Sequence, residues 1–66
     1  MARLPEGELE DREHRVFRLL QRHRWGLREV EVAEEFGWER RTVNNYLREL
    51  REDNKARREG RLWFAD

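Results

Sequence analysis

Two arginines and two asparagines recur at helical spacing near the middle of the chain, and their side chains could carry the chemistry of nucleic-acid recognition. At about 100° per residue they would share one face of a helix, and they are Arg41, Asn44, Asn45 and Arg48. An arginine can bond guanine O6 and N7, and an asparagine can bond adenine N6 and N7. This face is therefore a candidate for reading base edges. The competing interpretation is an ordinary solvated face, which every helix of a small domain has.

Other side chains nearby could contact phosphates, which position a protein on DNA without specifying a sequence. Two lie at the edges of the same helical face and four follow it in the chain: Arg40, Thr42, Lys55, Arg57, Arg58 and Arg61. The last four fall in a predicted hairpin, where charges can also serve to protect an exposed sheet edge. Both interpretations remain open from the sequence.

The distribution of charge supports the nucleic-acid interpretation better than the net charge of zero does. Residues 1–39 carry seven basic and ten acidic side chains, a net charge of −3. Residues 40–61 carry eight basic and four acidic side chains, a net charge of +4. The positive part contains all the candidate residues, although a mixed surface can show such asymmetry by chance.

The apolar pattern predicts the elements that position these side chains. Apolar residues recur about every 3.6 positions over residues 9–24, 28–36 and 39–53, which predicts three helices. The period falls to about two after Asn54, and residues 55–64 are predicted to form a two-stranded hairpin, or wing. Residues 1–8 show no period and are expected to form a flexible arm.

Three residues are expected to end the helices in a left-handed conformation, namely Gly26, Gly37 and Asn54. Glu39 is a poor N-cap, so the third helix is expected to begin a residue late. The wing strands are predicted at residues 55–58 and 61–64, joined through Glu59 and Gly60 by a two- or three-residue loop. These registers differ in whether Leu62 or Trp63 faces the core, and Trp63 is favoured.

The same pattern predicts the core. Its expected members on the three helices are Leu9, Val16, Leu19, Leu20, His23, Val32, Ala33, Phe36, Val43, Tyr46, Leu47 and Leu50, with Phe17 at the flank. The tryptophans Trp25, Trp38 and Trp63, together with Phe64, are expected to pack in the core rather than to stack on exposed bases. His14 is placed on the surface and His23 at the core edge.

The chain resembles the winged helix-turn-helix domains of bacterial transcription regulators, including the DeoR-type and related groups. Ala33, Gly37 and Val43 stand at relative positions 1, 5 and 11 of the motif, and the matching segments are VAEEFG, ERRTVNNYLREL and REGRLWF. The resemblance covers about residues 15–64. Two departures are Glu39 in place of a Ser or Thr cap and Trp38 in place of a smaller aliphatic residue.

The resemblance implies a mainly α fold with a small β-hairpin, a three-helix winged helix-turn-helix. It also implies sequence-specific binding of double-stranded DNA, with the third helix in the major groove and the wing near the backbone or minor groove. The expected role is that of a transcription regulator or its DNA-binding domain. The alternative is a winged helix that serves as a protein interaction or dimerisation module, and a homodimer is left open.

Composition argues against the remaining classes. The chain has no cysteine, no serine and two histidines, so no enzyme, metal site, cofactor or small-molecule ligand is expected. It has neither a membrane-spanning apolar run nor the core of a signal peptide. A cytoplasmic protein is therefore expected.

Overall fold

A computed structural model describes residues 6–66, with side chains from Arg12 onward. The elements in chain order are α1 (Glu6–Arg22), β1 (Leu27–Arg28), α2 (Glu29–Phe36), α3 (Arg40–Glu52), β2 (Ala56–Glu59) and β3 (Leu62–Ala65). The three strands form one antiparallel sheet in the order β1-β3-β2. This arrangement confirms the predicted fold class, which is mainly α with a small hairpin.

The first helix differs from its prediction at both ends. It begins at Glu6, so the prediction that residues 6–8 belong to an arm is wrong, while residues 1–5 and the Leu9 side chain lie outside the described residues. Acidic residues such as Glu6 and Glu8 favour a helix N-terminus. At the other end α1 stops at Arg22, and His23 is exposed rather than at the core edge. His23 fails to pack because the helix ends before it.

The chain then turns through Gly26 into a strand that the sequence did not predict. Gly26 has a positive φ of 93°, as expected, but it lies four residues beyond Arg22 and does not cap α1. Its N–H donates to the carbonyl of His23 at 2.9 Å. Leu27 then pairs with Trp63, and Arg28 pairs with Leu62. The sheet therefore has three strands instead of the two of the predicted wing.

The two helices of the helix-turn-helix unit match their predictions closely. Gly37 ends α2 with φ of 69°, and its N–H donates to the carbonyl of Ala33 at 2.8 Å. Glu39 makes no side-chain cap hydrogen bond, and α3 begins one residue later at Arg40, as expected. Asn54 follows α3 with φ of 61°, which confirms the predicted left-handed stop.

The wing forms one residue later than predicted. Glu59 pairs with Leu62, so Gly60 and Arg61 form a two-residue loop. Only Gly60 of these two has a positive φ, 65°, as a type II′ turn requires at its first central position. Trp63 faces the core and is buried, which confirms the favoured register.

The core lies where α1, α2 and α3 pack against the inner face of the sheet. Its buried members are Val16, Leu19, Leu20, Val32, Ala33, Val43, Leu47, Leu50, Ala56 and Trp63, and Phe17, Phe36, Trp38 and Tyr46 pack against them while half-buried. Phe64 is also half-buried. Trp25 was predicted to lie in the core, but it is 88% exposed at the turn between α1 and β1, beyond the reach of the packed helices. None of the described helices is long and apolar enough to cross a membrane.

Candidate nucleic-acid interface

The exposed side of α3 carries a row of polar side chains opposite its buried stripe. Arg41, Asn45 and Arg48 are exposed and lie at intervals of four and three residues, which aligns them along the helix. Among the described residues, none of these three side chains makes a hydrogen bond or an ion pair. We call these three residues the recognition stripe. They are three of the four residues that the sequence predicts to read bases.

The fourth, Asn44, is placed differently. It is half-buried at the edge of α3 that faces α2, and its Nδ2 donates a hydrogen bond to Oε1 of Glu29 at 2.7 Å. The Nε of Arg40 lies 3.4 Å from Oε2 of the same carboxylate. Arg40 and Asn44 are one helical turn apart, so both reach the first residue of α2. Thr42, the other predicted contact on this helix, is half-buried in the first turn.

The four predicted phosphate contacts of the wing do not share one surface. Arg58 and Arg61 are exposed close to the hairpin tip, whereas Lys55 precedes β2, at the end of the hairpin opposite the tip. Successive strand residues point to opposite faces, so Arg57 faces away from Arg58. The structure therefore brings only Arg58 and Arg61 together.

The guanidinium of Arg57 donates hydrogen bonds to two carboxylates. Its Nε donates to Oε2 of Glu59 at 2.8 Å, and its Nη1 donates to Oδ1 of Asp66 at 2.9 Å. The hydrogen bonds to Glu59 and then to Asp66 raise the pKa of Arg57 by favouring its charged form. Its guanidinium also lies 4.8 Å from the centre of the Phe64 ring. Arg57 thus belongs to a local cluster on the outer face of the sheet.

A groove between the wing and the first residues of α2 and α3 is lined by several basic side chains. It is lined by Arg28, Glu29, Val30, Arg40, Arg58, Gly60, Arg61 and Trp63. Its four arginines outnumber its single carboxylate, and we call it the basic groove. Here Arg58 lies 5.8 Å above the ring of Trp63, so a core residue supports an exposed cation.

Sequence reasoning missed Arg28 and Glu29 as members of this groove. Arg28 reaches it because β1 pairs with β3 and sets Arg28 opposite Leu62, next to the hairpin loop. Its backbone N–H donates to Oε1 of Glu31 at 2.8 Å, which fixes the start of α2. A two-residue strand has no period of its own, so the sequence offered no signal for this pairing.

Acidic side chains gather on another surface. Glu31, Glu34 and Glu35 line a second groove with Leu19, His23 and Leu27, between α1 and α2. In the part of the chain that the structure describes, no group of three or more histidine or acidic residues could hold a metal ion. The basic groove and this acidic groove are thus lined by opposite charges, although the net charge of the chain is zero.

Comparison of this chain with protein-family models, with curated proteins and with solved structures finds no match.

Proposed function

We propose that this chain is a sequence-specific binding domain for double-stranded DNA, without catalytic activity of its own, and that it acts in the cytoplasm as a transcription regulator or as part of one. The observation that carries the proposal is the position of the basic groove beside α3, whose exposed side holds the recognition stripe. Sequence-specific binding of DNA needs cations that contact phosphates beside polar side chains that contact base edges.

The dimensions of α3 suit this role. A helix with its side chains is about 10–12 Å across, and the major groove of B-DNA is about 12 Å wide. Docking of α3 there would direct Arg41, Asn45 and Arg48 toward base edges. The wing beside it would bring Arg58 and Arg61 to the phosphate backbone.

The net charge of zero is compatible with binding to a polyanion. Salt screens exposed charges over about 8 Å at physiological ionic strength, so a phosphate responds mainly to the charges nearest to it. The charges that line the basic groove are Arg28, Arg40, Arg58 and Arg61, with Glu29 as the one lining carboxylate and Oε1 of Glu31 at 3.7 Å from Nε of Arg28. The exposed glutamates of α2, Glu34 and Glu35, line a different groove.

Duplex affinity measured across a salt series tests the proposal. Neutralisation of about five phosphates gives a slope of about −4 to −5 in a plot of log affinity against log salt. The double variant Arg58→Gln, Arg61→Gln should make this slope shallower by about 2. The matched control, Arg18→Gln with Arg22→Gln on the exposed side of α1, should leave it unchanged. Absence of duplex binding at low salt would refute the proposal.

One observation favours the alternative, a protein interaction or dimerisation module. Trp25 is 88% exposed at the turn between α1 and β1, and exposed tryptophans are enriched at protein interfaces. If DNA binding is the function, Trp25→Ala leaves duplex affinity unchanged. If association is the function, the wild-type chain sediments as an oligomer and Trp25→Ala sediments as a monomer.

A further inference from the structure

A single carboxylate of α2 contacts two side chains of α3 that the sequence predicts to contact DNA. Oε1 of Glu29 accepts from Nδ2 of Asn44 at 2.7 Å, and Oε2 lies 3.4 Å from Nε of Arg40. We propose that Glu29 is a positioning residue that fixes the side-chain amide of Asn44 for adenine recognition and so sets base preference. This inference rests on the proposed function.

The chemistry of the contact determines which way the Asn44 amide points. A carboxylate can only accept hydrogen bonds, so the amide atom 2.7 Å from Glu29 must be the nitrogen. The opposite rotamer would place two oxygens against each other and leave both without a donor. Glu29 thus selects one of the two amide orientations that an isolated asparagine populates about equally.

The selected orientation leaves a pairing edge for a base. An asparagine nitrogen carries two hydrogens, one beside Oδ1 and one directed away from it. When the hydrogen directed away bonds to Glu29, Oδ1 and the remaining N–H form one edge. This edge matches adenine, whose N6 donates to Oδ1 and whose N7 accepts from the amide.

The second contact holds the carboxylate in place. Glu29 is the first residue of α2, and its side chain is only 21% exposed. The Arg40 side chain is 67% exposed, so its guanidinium can still reach a phosphate. Because Arg40 and Asn44 lie on successive turns of α3, the carboxylate links α2 to the edge of the helix that would enter the major groove.

Glu29 also has an electrostatic effect of the opposite sign. It is the one carboxylate among the four arginines of the basic groove, where its charge repels phosphates. Removal of the charge should therefore strengthen binding to every duplex, while release of Asn44 weakens the preference for one base pair. A general folding defect would instead weaken both.

The variant Glu29→Gln separates these effects. Glutamine has the same size as glutamate but carries no charge, and its side chain can donate as well as accept hydrogen bonds, so it no longer fixes the Asn44 amide in one orientation. Isotherms would be measured for a duplex chosen from a randomised pool and for duplexes changed at single base pairs. We expect Glu29→Gln to bind random duplex several-fold more tightly and to lose about twofold of its preference at one A·T pair, because the Asn44 amide then divides between two orientations. Asn44→Ala should lose preference at the same pair, and the double variant should lose no more.

The matched control is Glu34→Gln, which removes the same charge from an exposed position of the same helix. It should keep the wild-type preference at every pair. Retention of the A·T preference by Glu29→Gln would overturn the inference. A loss by Glu29→Gln at a different pair from the one lost by Asn44→Ala would also overturn it.

The hydrogen bond from Asn44 to Glu29, which we call the clamp, can also be detected without DNA. This measurement separates the inference from the proposed function. In the proton–nitrogen NMR spectrum of the free protein, the Asn44 amide proton nearer its β-protons should lie downfield. This shift should disappear in Glu29→Gln, with the backbone spectrum otherwise retained. Duplex binding with base preference but without this shift overturns the clamp alone. The shift without any duplex binding overturns the proposed function and, with it, the role of Glu29 in reading.

Discussion

The ring of Phe64 occupies the space that a side chain at Gly26 would need. A Cβ at position 26 would lie 2.8 Å from both Cε2 and Cζ of Phe64, and 3.1 Å from Cβ of Leu62. Gly26 also has a φ of 93°, a conformation that side-chain-bearing residues rarely adopt. The close contact between the residue that precedes β1 and the Phe64 side chain of β3 therefore depends on the absence of a side chain at position 26.

Gly26→Ala should destabilise the domain by about 2 to 4 kcal/mol, because backbone strain adds to the crowding against Phe64. The matched control is Gly37→Ala, where φ is 69° but no atom lies within 4 Å of the added Cβ. That change should cost only about 1 to 2 kcal/mol of backbone strain. Urea unfolding of both variants measures the difference, and equal losses would mean that Phe64 moves aside without cost.

Most residues whose role depends on local pattern were predicted correctly from the sequence, whereas His23, placed at the core edge by its helical period, is exposed. The buried stripe Val43, Leu47 and Leu50 follows from helical period, and the stops at Gly37 and Asn54 follow from their tolerance of positive φ. The stripe in turn fixes which side of α3 is exposed. This is why the exposure of Arg41, Asn45 and Arg48 could be anticipated.

Features that depend on contacts between distant residues were not predicted. The strand β1 exists only because Leu27 and Arg28 pair with β3, more than thirty residues away. The contact of Glu29 with Asn44 joins two helices across fifteen positions and has no local signal. The exposure of Trp25 depends on where α1 ends, which is two residues earlier than its periodicity indicated.

Leu47 and Trp38 are buried to different extents, so replacing each with alanine should have a different cost. Leu47 is 0% exposed, and Leu47→Ala should cost about 2 to 5 kcal/mol. Trp38 is half-buried, with its ring 4.4 Å from that of Phe36 and 5.7 Å from that of Tyr46, so Trp38→Ala should cost about 2 kcal/mol. Thermal unfolding compares them with exposed Trp25→Ala, which should cost less than about 0.5 kcal/mol. A larger loss from Trp25→Ala than from Trp38→Ala would contradict the packing described for these rings.

The carboxyl of Glu13 gives the domain a specific pH dependence. Burial, a hydrogen bond with Glu49 and the charges of Glu49 and Asp53 raise the pKa of Glu13, and Lys55 lowers it in part. In the folded state Glu13 therefore holds its proton to a higher pH than in the unfolded state. Between the ordinary glutamate pKa and the raised one, the folded state binds more protons, so this group's contribution to stability falls as the pH rises.

Glu13→Gln mimics the protonated side chain, so it should abolish the fall in stability that Glu13 causes as the pH rises. The variant should gain melting temperature relative to the wild type at pH 7, with a smaller gain at pH 4. Calorimetry at the two pH values measures the difference, with exposed Glu34→Gln as the control. A gain that is the same at both pH values would exclude the titration of Glu13 as its cause.

Base reading and phosphate binding should separate by position. Asn45 lies in the recognition stripe, so Asn45→Ala should cost about 1 to 3 kcal/mol on the preferred duplex and change binding to random duplex less. Arg58 lies beside the hairpin tip, so Arg58→Ala should weaken binding to all duplexes alike and make the salt slope shallower by about 1. Paired isotherms on preferred and random duplex test both. Relaxed specificity in Arg58→Ala, with intact specificity in Asn45→Ala, would make the wing the reading element.

If duplex DNA binds across α3 and the wing, a titration followed by proton–nitrogen NMR will show these two elements as the contact surface. On addition of the preferred duplex, we expect the largest shifts at Arg41, Asn45 and Arg48, together with Arg58 and Arg61. The exposed α2 residues Glu34 and Glu35 should keep their positions in the spectrum. Shifts centred on the turn at Trp25, or no shifts at low salt, would mean that duplex DNA does not bind across α3 and the wing.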